Sequence, residues 1–222
     1  MARKFSIIIP VCNEPNLKES ISKIKKLDKI NDTQIILSSC SKEKIKDKSI
    51  KKVLSKKGRP NQLNSGAKIA KGKILIFLHL DTTLPNDALI KIEEALKSQK
   101  YTAGAFKIKF NTKNIFLKII SSLTNLRSKI SKIPYGDQAI FIKRKSFEKI
   151  GGFKNVPFLE DVFLMESLKK EKLKINILND FVITSTRKWE RDGIFKRTIL
   201  NRLIILGHIL KIKPETLAKL YY

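Results

Sequence analysis

The chain has 222 residues, with 47 Lys and Arg against 20 Asp and Glu, a formal charge of +27 and 42% hydrophobic residues. At roughly 100–200 residues per domain it is one large domain, or one domain with an appendage, long enough to bury a real core. An ordinary apolar share with only 9 Gly and 7 Pro excludes disorder, a collagen-like repeat and low-complexity sequence.

Cys12 and Cys40 are too few to build a disulfide framework and are read as small buried thiols in a reducing compartment. The cationic excess implies a surface that attracts anions: nucleic acid, an acidic membrane or phosphorylated small molecules. Part of it is the Lys- and Ile-rich bias that an AT-rich coding sequence produces.

Arg3 and Lys4 ahead of an apolar run imitate a secretory signal, but Asn13 and Glu14 end the run and no small-residue cleavage site follows. Residues 5–10 are therefore read as the first strand of a cytosolic protein. Residues 16–27 place Leu17, Ile21, Ile24 and Leu27 on one helical face, with Asn16 as cap behind Pro15. Residues 34–37 and 51–54 read as strands, and Gly58-Arg59-Pro60 as the turn before a helix over 61–70. Residues 73–80 carry the run of a central strand buried on both faces.

A helix opens at Pro85 and ends near Ser98, and residues 105–110 alternate Phe106, Ile108 and Phe110 with two lysines, a half-buried strand. A long basic helix over 114–133 and a short strand over 139–142 lead to the tight turn Gly151-Gly152-Phe153. Helical period resumes over 162–171, a strand follows at 181–184, and 193–212 and 214–222 read as helices. Strands alternating with helices predict an α/β fold with a mostly parallel sheet. The most apolar part of the tail, residues 203–207, is far short of the ~20 residues of a membrane span.

Acidic residues are scarce, and Glu14, Asp81, Asp137, Glu160 and Asp161 all fall in loops after or between apolar strands, where open parallel sheets bind ligands. Pro10, Asn13 and Glu14 present an amide and a carboxylate at a helix start, able to grip a nucleotide; the same residues also serve as ordinary caps. After the central strand come His79 and Asp81, which period-2 geometry turns to one side. Asp81 suits Mg²⁺ or Mn²⁺, with His79 a second candidate ligand or a structural histidine. Tyr135-Gly136-Asp137-Gln138 and the adjacent Glu160 and Asp161 follow. Paired carboxylates either accept a proton from an attacking hydroxyl or complement a helix dipole. In Arg187-Lys188-Trp189, two cations suit a phosphate and Trp189 a sugar face, or a core position.

Taken in this order, these motifs resemble the family 2 glycosyltransferases of the GT-A fold over essentially the whole chain. Residues 58–67 (GRPNQLNSGA), His79-Leu80-Asp81-Thr82, Tyr135-Gly136-Asp137-Gln138 and Arg187-Lys188-Trp189-Glu190 look like the small bacterial subgroup associated with arsenosugar biosynthesis. The resemblance implies inverting transfer of a sugar from a nucleotide-diphosphate donor to a small-molecule or lipid-linked hydroxyl acceptor. Pro10, Asn13, Glu14, Arg59, Asn64, Arg187 and Lys188 would then bind donor, Asp81 and His79 a divalent metal, and Asp137 and Trp189 acceptor. Asp161, paired with Glu160, would be the catalytic base. Two departures stand out: Leu37-Ser38-Ser39-Cys40-Ser41 lacks the acid usual after the second strand, and His79-Leu80-Asp81 replaces an aspartate pair.

The domain is expected over 1–192, with 193–222 an amphipathic tail packed on it or on an anionic membrane surface, the location being cytoplasmic or peripheral on the inner membrane face. A basic nucleic-acid-binding protein is the alternative reading. It is disfavoured because no nucleic-acid module is recognisable and no aromatics interleave with the basic residues.

Overall fold

The computed structural model describes residues 3–12, 14, 17–41 and 45–221; Asn13, and the cap expected at Asn16, lie outside them. Among the described residues, seven strands form one sheet: β1 (Phe5–Val11), β2 (Thr33–Ser39), β3 (Ile50–Leu54), β4 (Ile74–Phe77), β5 (Ala103–Phe110), β6 (Ile140–Lys143) and β7 (Ile175–Thr184). Their order is β3-β2-β1-β4-β6-β5-β7. β6 runs antiparallel to β4 and β5, and every other pairing is parallel. The mostly parallel sheet flanked by helices is the architecture expected from the alternating pattern.

The side-chain alternation of β1 divides the core. Phe5, Ile7, Ile9 and Val11 face α1 (Leu17–Lys25) and α3 (Ala88–Lys97), packing with Ile21, Ile24, Leu89 and Ile92. Ile8, on the opposite face, packs with Leu63 and Ala67 of α2 (Arg59–Ile69) and with Leu164, Met165 and Leu168 of α6 (Glu160–Lys170). Each fully buried aliphatic side chain of this set is worth roughly 1.5–3 kcal/mol relative to exposure. α2 lies so close to β1 that a Cβ on Gly66 would stand 2.4 Å from Ile8 Cγ2.

The remaining helices are α4 (Ile115–Ser131), α5 (Arg144–Lys149), α7 (Arg187–Asp192), α8 (Ile194–Ile209) and α9 (Pro214–Tyr221). Asn114 caps α4, accepting a hydrogen bond from the Phe116 amide at 2.9 Å. The tail packs on the domain, where Ile204 of α8 and Leu217 of α9 are buried with Leu159 and Val162.

Three expectations need correction. β4 ends at Phe77, paired with Ile140, because β6 offers no partner beyond that point; residues 78–82 are loop and turn. β7 starts at Ile175, its alternation being hidden by a register shift that pairs Ala105 with Ile177 but Lys107 with Phe181. Cys12 and Cys40 are not buried thiols: Cys12 is exposed, Cys40 half-buried, and they form a disulfide joining the ends of β1 and β2. The cysteines therefore no longer argue for a reducing compartment.

Gln138 ties the sheet to the functional loops. Its buried Nε2 donates to the Phe106 carbonyl of β5 at 2.8 Å. Its Oε1 accepts from Ser128 Oγ of α4 at 2.7 Å and from the Tyr135 amide at 3.0 Å. Gln138→Leu removes this partner from the Phe106 carbonyl and the Tyr135 amide, while Ser128 keeps the Thr124 carbonyl, and it is expected to cost about 3 kcal/mol in urea unfolding. A loss below about 1 kcal/mol would contradict this anchoring role.

Candidate functional site

The loop after β4 is fastened to two other segments. Thr83 and Ile183 exchange backbone hydrogen bonds of 2.8 and 3.0 Å. Thr82 Oγ1 lies 3.3 Å from Thr184 Oγ1 and 3.5 Å from the Asp137 carbonyl, so the end of β7 and the 3-10 turn Gly136–Gln138 meet beside Asp81. Arg187, which starts α7 just after β7, reaches Asp81 with Nη2–Oδ2 of 3.5 Å. Both partners are solvated, so the pair adds little stability and can open to an incoming anion.

His79 and Asp81 do not share a side through strand alternation, because both lie beyond the end of β4. The His79 ring instead packs on Gly136, where a Cβ would stand 2.7 Å from its Nε2 and 3.6 Å from Asp161 Oδ2. A side chain at residue 136 would displace the imidazole.

Glu160 and Asp161 begin α6 directly after Leu159, a non-glycine residue held in the left-handed region with φ 63°. Burial of the Leu159 side chain beside Val162, Ile204 and Leu217 holds that strained turn. It sets Asp161 so that Oδ2 accepts from the Gly136 amide at 2.6 Å and Oδ1 from the Val162 amide at 2.8 Å. Glu160 is buried, with Oε1 3.9 Å from Nη1 of the exposed Arg59.

Burial, then the charges of Asp161 and Asp81, push the Asp137 carboxyl up to about 6. Burial and neighbouring Asp161 push Glu160 up to about 7. Asp161 is also raised by burial, against the two amides and the Arg59 and Arg127 charges that favour its anion. His79 is held well below the usual imidazole range by burial and by Arg59 and Lys188, so it is neutral. Lys188 is lowered by partial burial of its ammonium, then by the Arg59 and Arg197 cations.

Among the described residues, no group of three or more His, Cys, Asp or Glu forms a ready metal cage. The donor set nevertheless fits a hard cation that takes further oxygens from phosphate and water. Asp81 is solvated, Asp137 lies within reach of its charge, and Asp137 Oδ1 is buried with no hydrogen-bond partner.

Other expected residues fall around this centre or away from it. Pro10 sits at the rim of β1, paired with Ser38, whose buried hydroxyl has no partner; Glu14 is exposed. Asn64 commits both ends of its amide to the Phe153 backbone, at 2.8 and 3.0 Å, and works as a strut to the Gly152 turn. Trp189 packs on Phe110 with ring centroids 5.0 Å apart and its indole N–H buried without a partner, so its ring belongs to the core edge.

Sequence reasoning missed the aromatic and cationic walls. Arg127 lies 3.6 Å over the Tyr135 ring and donates to the Ile133 carbonyl. Tyr221 is covered by Arg197 at 4.0 Å, and Lys188 Nζ is 3.4 Å from its hydroxyl. No motif marks Tyr221, which a folded-back tail brings from the far end of the chain; the only signal was an arginine, Arg197, within a helix that packs on the domain.

The sequence profile described as "Glycosyl transferase family 2" matches residues 6–154. The chain belongs to glycosyl transferase family 2. It is similar to the mannosyltransferase PcManGT of Pyrobaculum calidifontis, solved with GDP-Man and Mn²⁺, at TM-score 0.71 and 17% identity over 92% of this chain and 61% of that one. It is also similar to residues 1–349 of S. aureus TarS in complex with UDP-GlcNAc, at TM-score 0.63 and 14% identity over 82% of this chain and 58% of that one. The chain thus spans about three fifths of the length of these solved structures. No curated protein matches it in sequence. The architecture is the GT-A fold.

Two raised carboxyls fix the sign of a pH effect. Asp137 and Glu160 hold protons more tightly folded than unfolded, so their contribution to stability is complete below pH about 4 and is lost as pH rises through about 6 and 7. The ligand-free melting temperature is expected to carry a falling component from pH about 4.5 to 7.5 that Glu160→Gln reduces. An identical pH profile in wild type and Glu160→Gln would contradict it.

Proposed function

We propose that the chain is an inverting glycosyltransferase that moves a sugar from a nucleotide-diphosphate donor to a hydroxyl acceptor, with Asp161 as base. The observation that carries this reading is the Asp161 carboxylate. It is fixed by two backbone amides, raised from its ordinary value by burial, and faced by the cations Arg59 of α2 and Arg127 of α4. A carboxylate whose pKa is raised accepts a proton more strongly than a solvated one.

In this scheme Asp161 takes the acceptor hydroxyl proton as the acceptor oxygen bonds to the anomeric carbon. The bond from that carbon to the diphosphate oxygen breaks on the opposite face. Arg187, released from Asp81, and Lys188 share the charge of the departing diphosphate, with Arg59 nearby. Asp81 and Asp137 would hold Mg²⁺ or Mn²⁺, which as a Lewis acid neutralises diphosphate oxygens. Neutral His79 stays beside Gly136 and Asp161, where a second cation would oppose proton acceptance. Pro10 at the β1 rim and Glu14 would line the nucleoside side, a role the resemblance also gives to Asn13. The PcManGT structure with GDP-Man and Mn²⁺ and the TarS structure with UDP-GlcNAc support a nucleotide-sugar donor and a divalent ion. The four motifs quoted above support placement in the arsenosugar-associated subgroup.

Asp161→Asn is expected to lower kcat roughly 10²–10⁴-fold while donor affinity in calorimetry stays unchanged. Wild-type turnover in that variant would end the assignment. Asp81→Ala is expected to abolish the Mn²⁺-dependent part of nucleotide-sugar binding. Equal affinity with and without EDTA in both proteins would contradict the metal role.

A further inference from the structure

Helix α4 is inside out. At about 100° per residue, Ile115, Phe116, Ile119, Leu123, Leu126 and Ile130 fall within an arc of about 100°, and all six are exposed. The opposite face, turned into the protein, is largely polar: Asn125 exchanges hydrogen bonds of 2.8 and 2.9 Å with the Ile108 backbone, and Ser128 bonds to Gln138. The usual rule for a surface helix is reversed, so the fold does not use this apolar stripe.

Helix α8 repeats the feature. Phe195, Ile199, Leu203, Leu206, Ile209 and Leu210 are exposed within an arc of about 120°, while Arg197, Ile204 and Gly207 face inward. The two stripes adjoin. Phe116 and Phe195 stack edge-on with ring centroids 5.6 Å apart, and Arg127 of α4 feels the charge of Arg202 of α8. Most of the large apolar side chains exposed among the described residues belong to this one platform, and a contiguous exposed apolar patch marks an interaction surface.

Charge selects the occupant. Neither helix contains an acidic residue, and the exposed Lys118, Lys129, Lys196 and Arg202 that border or interrupt the stripes make no ion pair among the described residues. A second copy docked face to face would set these cations against their own kind. An anionic bilayer would meet apolar side chains with acyl chains and cations with headgroup phosphates. Among the described residues, no helix is long and apolar enough to cross a membrane.

We propose that the joint α4–α8 face docks the chain on the surface of an anionic bilayer, both helices lying in the interface. This goes beyond the catalytic reading and does not depend on it. Arg127 on Tyr135 and Arg197 on Tyr221 connect the same two helices to the walls of the candidate site, which docking would hold next to the headgroups.

The test is flotation of the whole chain with vesicles of phosphatidylcholine alone and of phosphatidylcholine with phosphatidylglycerol. Wild type is expected to float with the anionic vesicles and not with the neutral ones. The exposed-face variant Leu123→Ser, Leu126→Ser, Leu203→Ser, Leu206→Ser, with an unchanged circular dichroism melt, is expected to partition at least ~10-fold less. Lys118→Gln with Lys129→Gln and Lys196→Gln is expected to weaken binding in a manner that added salt reproduces in wild type. Wild type remaining with the buffer in both cases, or the serine variant floating like wild type, would overturn the proposal. So would light scattering showing a vesicle-indifferent dimer that the serine variant dissociates.

Discussion

Asp137, Glu160 and Asp161 are crowded out of water at one point of a chain that carries +27, and the rest of the site is arranged around that cost. Carboxylates with poor solvation and like-charged neighbours resist ionisation. Here the resistance is limited by the Gly136 and Val162 amides on Asp161 and by Arg59, Arg127 and Lys188 around the cluster. Asp137 Oδ1 remains unmatched. A protein selected for stability alone would replace these acids; keeping them buried makes chemical sense where a cation and a diphosphate complete the balance.

The scaffold holds the cluster through a few long-range ties. Gln138 joins β5, α4 and the turn bearing Asp137, while Thr82 and Thr83 bind the loop after β4 to the end of β7. Leu159 holds an unfavourable backbone conformation because its side chain is buried under the tail. Catalytic geometry in the proposed reaction therefore depends on the tail as well as on the sheet. The family profile ends at residue 154, yet Asp161, Arg187 and Tyr221 come from beyond that limit.

Strong hydrophobic patterns were legible in the sequence. The runs that became β1 and β4 and the periodicity of α1 gave elements close to their observed places, since burial on one or two faces leaves a clear signature. The acids were also legible, because scarcity made Asp81, Asp137, Glu160 and Asp161 conspicuous. Long-range facts were not. The bulge in β7 broke the alternation that would have marked residues 175–180, and Cys12 and Cys40 paired only because parallel β1 and β2 end side by side. Strand alternation does not relate His79 to Asp81, because β4 ends at Phe77. The direction of the α4 stripe was equally hidden: a helical wheel gives two faces, and Asn125 and Gln138 decide which one turns inward.

The central claim is that Asp81, Asp161 and Arg187 serve one cavity that takes an activated sugar. A crystal structure of the chain with a non-transferable nucleoside-diphosphate sugar and Mn²⁺ tests it most directly. The account predicts the diphosphate between Asp81 and the Arg187–Lys188 pair, the ion roughly 2.0–2.4 Å from an Asp81 oxygen, and the anomeric carbon open toward Asp161. A nucleotide seated elsewhere, or an anomeric carbon turned away from Asp161, would contradict it.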